Sequence, residues 1–167
     1  MTPPAGGTIE VPLRWVDMDA QGHVNNSLVV DYLQEARVSF LLNGPNAYLL
    51  CDGIVIVAHQ VEYLAPIHFS EEPVQVRLAV GRVGASLFTF GYDLTHAGVH
   101  VARARSDMCI FDFDLGRPVR MKPEERAWFA DQSQRLEPLP SLGRWRPGDA
   151  AHEYPFIARW SDLDSYG

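Results

Sequence analysis

At 167 residues, 47% of them apolar and 21% charged, the chain has the length and make-up of one globular domain with a real core. Its formal charge of −7 argues against nucleic acid or an anionic membrane as main partner, leaving room only for a local basic spot that would hold a small anion. No apolar run approaches the roughly 20 residues of a membrane-spanning helix, and Met1–Gly7 lacks the basic start and apolar stretch of a signal peptide.

In chain order, Thr8 to Val16 is predicted as a strand that ends at an acidic turn, Asp17–Val24. From Asn26 to about Leu42 the spacing is helical, and apolar residues cover all but a narrow stripe of Ser27, Asp31, Gln34, Glu35 and Ser39. Such a helix has to be wrapped by other elements. Asn25 or Asn26 suits its cap, and Asn43-Gly44-Pro45 stops it. The pattern then changes to period two. Ile54–Leu64 is one β-rich run; Val74, Val76, Leu78 and Val80 alternate with smaller or polar residues in the next. Phe88, Phe90, Tyr92 and Leu94 mark a third run, and Ala102, Ala104, Ser106, Met108 and Ile110 one face of a fourth, Val99 to Phe113. The breaks at Gly84-Ala85 and Ala97-Gly98 are short enough for antiparallel hairpins. Pro123 to Gln132 is predicted as a short helix, and the Pro-rich segment 134–153 as a linker. The order therefore predicts an α+β fold whose antiparallel sheet curls around the long helix.

The chain also repeats itself. Arg14-Trp15-Val16-Asp17-Met18-Asp19-Ala20-Gln21-Gly22 returns as Arg159-Trp160-Ser161-Asp162-Leu163-Asp164-Ser165-Tyr166-Gly167, identical at five of nine positions, both acids and the Arg-Trp pair included. The first copy runs on into His23 and the helix, while the second stops at Gly167. The expected organisation is one domain over 1–133, a linker over 134–153, and the truncated start of a second repeat over 154–167. Cys51 and Cys109 are expected to be reduced and packed, as in a cytoplasmic protein, which makes the sequon Asn25-Asn26-Ser27 a coincidence.

Asp17-Met18-Asp19-Ala20-Gln21-Gly22-His23-Val24-Asn25-Asn26, followed by a helix with Asp31-Tyr32 and Glu35-Ala36-Arg37, closely resembles the 4-hydroxybenzoyl-CoA thioesterase-like branch of the hotdog superfamily. Val61-Glu62-Tyr63-Leu64-Ala65-Pro66-Ile67 is similar to that family's second strand and the Pro turn after it. The resemblance spans roughly residues 8 to 130. It implies the hotdog fold, a curled antiparallel sheet around a long central helix. It also implies pairing of two such units, either as a homodimer or as an internal pseudo-dimer of a tandem double-hotdog protein. The implied activity is hydrolysis of acyl-CoA thioesters.

An acid just before a helix brings together what thioester hydrolysis requires. The carboxylate serves as base or nucleophile, and free backbone N–H groups of the first helical turn polarise the carbonyl. The resemblance implies that the second acid, Asp19, is catalytic, with the carbonyl-polarising N–H near Asn26. The plainer alternative for Asp19 is an acid that holds the turn or caps the helix. Asp17 reads as structural. Gly22 is expected to supply a positive φ or a close backbone approach. His23 orients water or the thioester, or is a turn histidine satisfied by backbone; Asn25 carries the same two readings. Glu35 belongs to a solvated or ion-paired face.

The family carries basic residues for the CoA phosphates in the turn between the third and fourth strands. Here that turn is Val83-Gly84-Ala85-Ser86 with Arg82 beside it, so Arg82 and Ser86, then Arg103 and Arg105, are the candidate contacts. This departure leaves an acyl-carrier-protein thioester open beside acyl-CoA. No metal spacing and no nucleophile elbow is present, so neither cofactor nor metal is expected. Two other classes remain. A non-catalytic acyl-binding hotdog module would have no use for Asp19, and a hydratase-type hotdog would need an Asp and a His together in a longer loop.

Overall fold

The computed structural model describes residues 7–143 and 153–158. Five long or edge strands, β1 (Thr8–Val11), β2 (Ile54–Tyr63), β3 (Val74–Val83), β4 (Leu87–His96) and β5 (Val99–Asp112), form one antiparallel sheet in the order β1-β3-β4-β5-β2; a two-residue β6 (Arg117–Pro118) adds to β5. The helix α1 (Val29–Leu42) lies in the hollow of this sheet. This is the curled sheet around a central helix that the sequence pattern predicts.

The alternation along the strands explains the curl. Val74, Val76, Leu78 and Val80 of β3, then Phe88, Phe90, Tyr92 and Leu94 of β4, are all buried on the concave face. They meet Val29, Tyr32, Leu33, Ala36, Phe40 and Leu41 of α1 in one core cluster. Side chains of strands point alternately to opposite faces, so a one-residue slip in any strand would turn this set outward. Register breaks between Val80 and Val83 and between Ile56 and Ala58 bend β3 and β2 at the end where the helix α3 (Pro123–Asp131) closes the core. Phe129 of α3 stacks on Phe88 with ring centroids 4.3 Å apart, and Trp128 packs against Phe40. Each fully buried side chain of this size contributes roughly 1.5–3 kcal/mol by leaving water.

Three details differ from the sequence reading. The first strand stops at Val11 rather than Val16. Pro12 has no N–H to give a ladder, and Trp15–Asp17 instead close a 3₁₀ turn in which Asp17 N–H donates to the Arg14 carbonyl. A one-turn helix, α2 (Leu49–Asp52), leads into β2 without a periodic signal long enough to read. Arg37, which the polar stripe of the sequence pattern does not include, turns out to be a charge on the buried side of the helix. It is 5% exposed, points inward, and donates to the Tyr92 hydroxyl at 3.3 Å. Tyr92 in turn bonds Ser106, and Ser106 Oγ meets His59 Nδ1 at 2.8 Å, so the concave face carries one polar thread across α1, β4, β5 and β2.

The Pro-rich segment leaves α3, and its first part is held against the convex face of the sheet. Gln134 N–H donates to the Val80 carbonyl, and Gln60 of β2 reaches the Pro140 carbonyl at 2.7 Å. Residues 153–158 are exposed, and the second copy of the repeat, 159–167, lies outside the described residues. Cys51 is exposed, Cys109 is buried, and both are free. No helix of the described residues is long and apolar enough to cross a membrane.

Candidate active site

The site is built where the acidic turn delivers the chain to α1. A cleft of about 340 Å³ opens there between the turn, the start of the helix and the ends of β2 and β5. Asp19, Gln21, His23 and Asn26 form its polar rim, and Val24, Val29, Ile67, Val101 and Ala102 its apolar floor.

The turn is shaped by its own acid. Asp19 Oδ1 accepts the N–H groups of Gln21 at 2.8 Å and His23 at 3.2 Å, while Asp19 N–H donates to the His23 carbonyl at 2.7 Å. The reversal requires Gly22 at φ +77°, a conformation that costs a residue with a Cβ about 1 kcal/mol or more. The other carboxylate oxygen of Asp19, Oδ2, has no hydrogen-bond partner among the described residues, and Asp19 lines the cleft.

Asp17, two residues earlier, is in a different environment. It is 1% exposed, its oxygens take the Arg14 guanidinium at 2.9 Å and the Tyr32 hydroxyl at 2.8 Å, and its carbonyl takes the Asn25 N–H. Burial alone would raise its pKa, but the bonds from Arg14 and Tyr32 more than offset that and hold it below the ordinary aspartate value. Burial, and then the bond to Asp17, push the Tyr32 phenol well above its usual range. Asp17 thus ties the turn to the buried face of α1.

The helix entry supplies the second ingredient. Asn25 caps it: its Oδ1 accepts the N–H and the hydroxyl of Ser27 at 3.0 and 2.8 Å. Val24 and Asn25 donate their N–H groups to Ile67 and Asp17. The N–H of Asn26, between them and the first helical bond, has no partner among the described residues, and Asn26 lines the cleft. The Tyr63 hydroxyl bonds the Asn26 carbonyl at 2.8 Å and so fixes this peptide in place. The His23 ring packs edge-on against His68, with centroids 4.7 Å apart.

The structure therefore brings Asp19, His23 and Asn26 into one cleft, with Gly22 and Asn25 shaping its two ends. Arg82 and Ser86 are elsewhere. Arg82 lines a separate hollow with Leu87, Thr89 and Asp107, and Ser86 uses its carbonyl to hold the Ile110 N–H at the β3–β4 turn. Arg103 and Arg105 face the convex side of the sheet. Sequence reasoning did not single out Tyr63 and His68 as partners of the turn. Tyr63 was legible only as part of the second-strand motif before the Pro turn, and His68 reaches the turn through the isolated pairing of His23 with His68, which no local pattern encodes. Among the described residues no group of three or more His, Cys, Asp or Glu is placed to hold a metal ion.

Comparison with known proteins places this geometry in a context. Residues 13–129 match the family model described as the thioesterase-like superfamily. Among solved structures, the chain is similar to a predicted thioesterase from Bacillus stearothermophilus, with TM-score 0.69, 23% identity, and coverage of 78% of this chain and 98% of that one. It is also similar to a Thermus thermophilus thioesterase complexed with coenzyme A and Zn, with TM-score 0.66, 24% identity, and coverage of 73% and 95%. A third is a 1,4-dihydroxy-2-naphthoyl-CoA thioesterase from Synechocystis, with TM-score 0.64, 18% identity, and coverage of 74% and 95%. A search of the curated proteins finds no match.

Proposed function

Because the chain belongs to the thioesterase-like superfamily, we propose that it hydrolyses acyl thioesters, acyl-CoA in the first place, with Asp19 as base or nucleophile. One observation carries the assignment: a carboxylate oxygen without a partner and an unpaired N–H at a helix entry share one cleft with an apolar floor. The thioester carbonyl oxygen accepts the Asn26 N–H, which strengthens as the oxygen gains charge, and the helix entry adds its partial positive charge. Asp19 Oδ2 takes a proton from water as that water attacks the carbonyl carbon. Collapse of the tetrahedral intermediate breaks the C–S bond, and the thiolate takes the proton back from Asp19. In the covalent variant Oδ2 itself attacks, the thiolate leaves, and water then hydrolyses the anhydride. His23, on the rim, orients the water or the thioester. The apolar floor receives the acyl chain.

Thiol release from a panel of acyl-CoA esters tests this reading, comparing the chain with Asp19→Asn. Asparagine keeps the Oδ1 acceptor that the turn needs and removes the base. The expected result is a fall of at least a hundredfold in kcat/KM with an unchanged thermal midpoint. Equal release by both proteins would overturn the role of Asp19, and no release of any thiol by the folded protein would favour the acyl-binding reading.

The site also suggests a paired unit. β2 is one of the two edge strands of the sheet, and Ile56 and Val57 on it are exposed, as is Leu42 of α1. A second copy of this chain, or a second repeat introduced by residues 154–167 in a longer tandem parent, would add its own β2 to this edge. Light scattering of the chain is expected to give a dimer mass. A monomer at working concentration would sink the homodimer.

A further inference from the structure

The convex face of the sheet carries a second concavity, of about 340 Å³, that the thioesterase reading does not use. Two rows of cross-strand neighbours build it. In one row Arg77 of β3 faces Asp93 of β4, which faces Arg103 of β5; in the next, Ala79 faces Gly91, which faces Arg105. The small pair Ala79–Gly91 makes room for the Leu136 side chain, and the hollow lies beside it among the arginines. The segment after α3 forms the opposite wall. It crosses β3 at Gln134, lays Leu136 over Gly81 and Gly91, and reaches β5 where Arg105 donates to the Glu137 carbonyl. A Cβ built on Gly91 would come within 2.8 Å of the Leu136 side chain, so the close seat of this wall depends on glycine there.

The wall completes a charge pattern. Arg77, Arg103, Arg105 and Arg135 line the hollow against two acids, Asp93 and Glu137, in a chain whose formal charge is −7. Arg103 is already paired with Glu62 and stands 3.6 Å from the highly exposed Glu137. Arg77 and Arg135 have no ion pair among the described residues. A local excess of positive charge in a concave site concentrates anions, and planar guanidinium groups match phosphate oxygens. Leu136 and Leu139 supply apolar wall beside them. The volume is at the lower end of the roughly 300–1,000 Å³ of small-molecule sites, more than a lone inorganic ion needs.

We propose that this convex-face hollow, closed by residues 134–139, binds an organic phosphate of nucleotide size. Two sources have that chemistry: the nucleotide end of the CoA carrier, or a free nucleotide acting as a separate ligand. The first rests on the thioesterase reading and the second does not. Arg103 lies next to Ala102 on β5, and Ala102 lines the catalytic cleft, so the two sites adjoin on opposite faces of β5.

Calorimetric titration of the protein with adenosine 3′,5′-bisphosphate and with ADP tests the site directly. Binding is expected to weaken at least tenfold in the Arg77→Ala/Arg135→Ala double variant, to weaken with added salt, and to tighten about threefold in Glu137→Gln. Both exposed arginines are outside the core, and an unchanged thermal midpoint checks the fold. Failure of the wild type to bind either probe, or equal affinity of the double variant, would overturn the proposal. Kinetics then separate the sources. If the hollow holds the carrier, the double variant raises KM for an acyl-CoA and leaves KM for the same acyl group on N-acetylcysteamine unchanged. If KM moves for neither substrate while binding is lost, the ligand is a free nucleotide. A protein that turns over neither substrate would end the thioesterase reading, while the titration still decides the phosphate site.

Discussion

Two carboxylates two residues apart in the same turn are set to opposite tasks. Asp17 is buried, accepts from Arg14 and Tyr32, and anchors the turn to α1. Asp19, which lines the cleft, spends one oxygen on the backbone of its own loop and leaves the other without a partner among the described residues. The pair shows that a short acidic motif is not one functional unit. Its first acid is consumed by bonds from Arg14, Tyr32 and, at its carbonyl, the Asn25 N–H, while the second holds the loop with one oxygen and keeps the other without a partner among the described residues.

The same isosteric change at each acid sharpens the contrast. The Asp19→Asn loss proposed above, a hundredfold or more, corresponds to about 2.7 kcal/mol of transition-state stabilisation. Its unfolding midpoint in urea is expected to match the parent protein. Asp17→Asn should act in the reverse order and is expected to cost about 2 kcal/mol of folding stability. That is less than the roughly 3–5 kcal/mol for breaking a fully buried ion pair, because the Arg14 side chain is 56% exposed and rehydrates. Any loss of activity in Asp17→Asn should follow from the loosened turn and appear in KM as well as kcat. Activity lost to the same degree in both variants, with stability equal, would dissolve the distinction between the two acids.

Much of this fold could be read from the chain because its strands obey strict alternation. Val74 to Val80 and Phe88 to Leu94 each present one face to the core, and the short breaks at Gly84-Ala85 and Ala97-Gly98 left only hairpins as connections. What could not be read were features set by tertiary partners. Arg37 sits on a helix whose charges otherwise face water, and only the Tyr92 hydroxyl across the hollow explains its inward course. The extension of the first strand to Val16 failed because one ion pair, Arg14 with Asp17, favours a turn over a ladder that Pro12 already interrupts. In the site, Asp19 and Asn26 lie close in sequence and were legible. Tyr63, which holds the Asn26 peptide, comes 37 positions later, and no local pattern joins them.

The smallest expected effect separates the turn from the core by pH. For Asp17 the folded pKa is depressed, so its contribution is present above the unfolded value near 3.8 and is lost as pH falls through the folded value. His59 works at higher pH. Burial first, and then the nearby Arg37 charge, hold its pKa below 6.5, so the folded protein resists the proton that the unfolded chain accepts. Stability should therefore begin to fall as pH drops below about 6.5 and level off beneath the folded pKa of His59, while the Asp17 contribution is lost only below about 3.8. Urea unfolding at a series of pH values reads both steps. His59→Gln is expected to remove the upper step and leave the lower, while Asp17→Asn removes the lower and leaves the upper. Loss of both steps in either variant would mean that the turn and the polar thread behind α1 unfold as one electrostatic unit, and the separation drawn between Asp17 and the core would have to be abandoned.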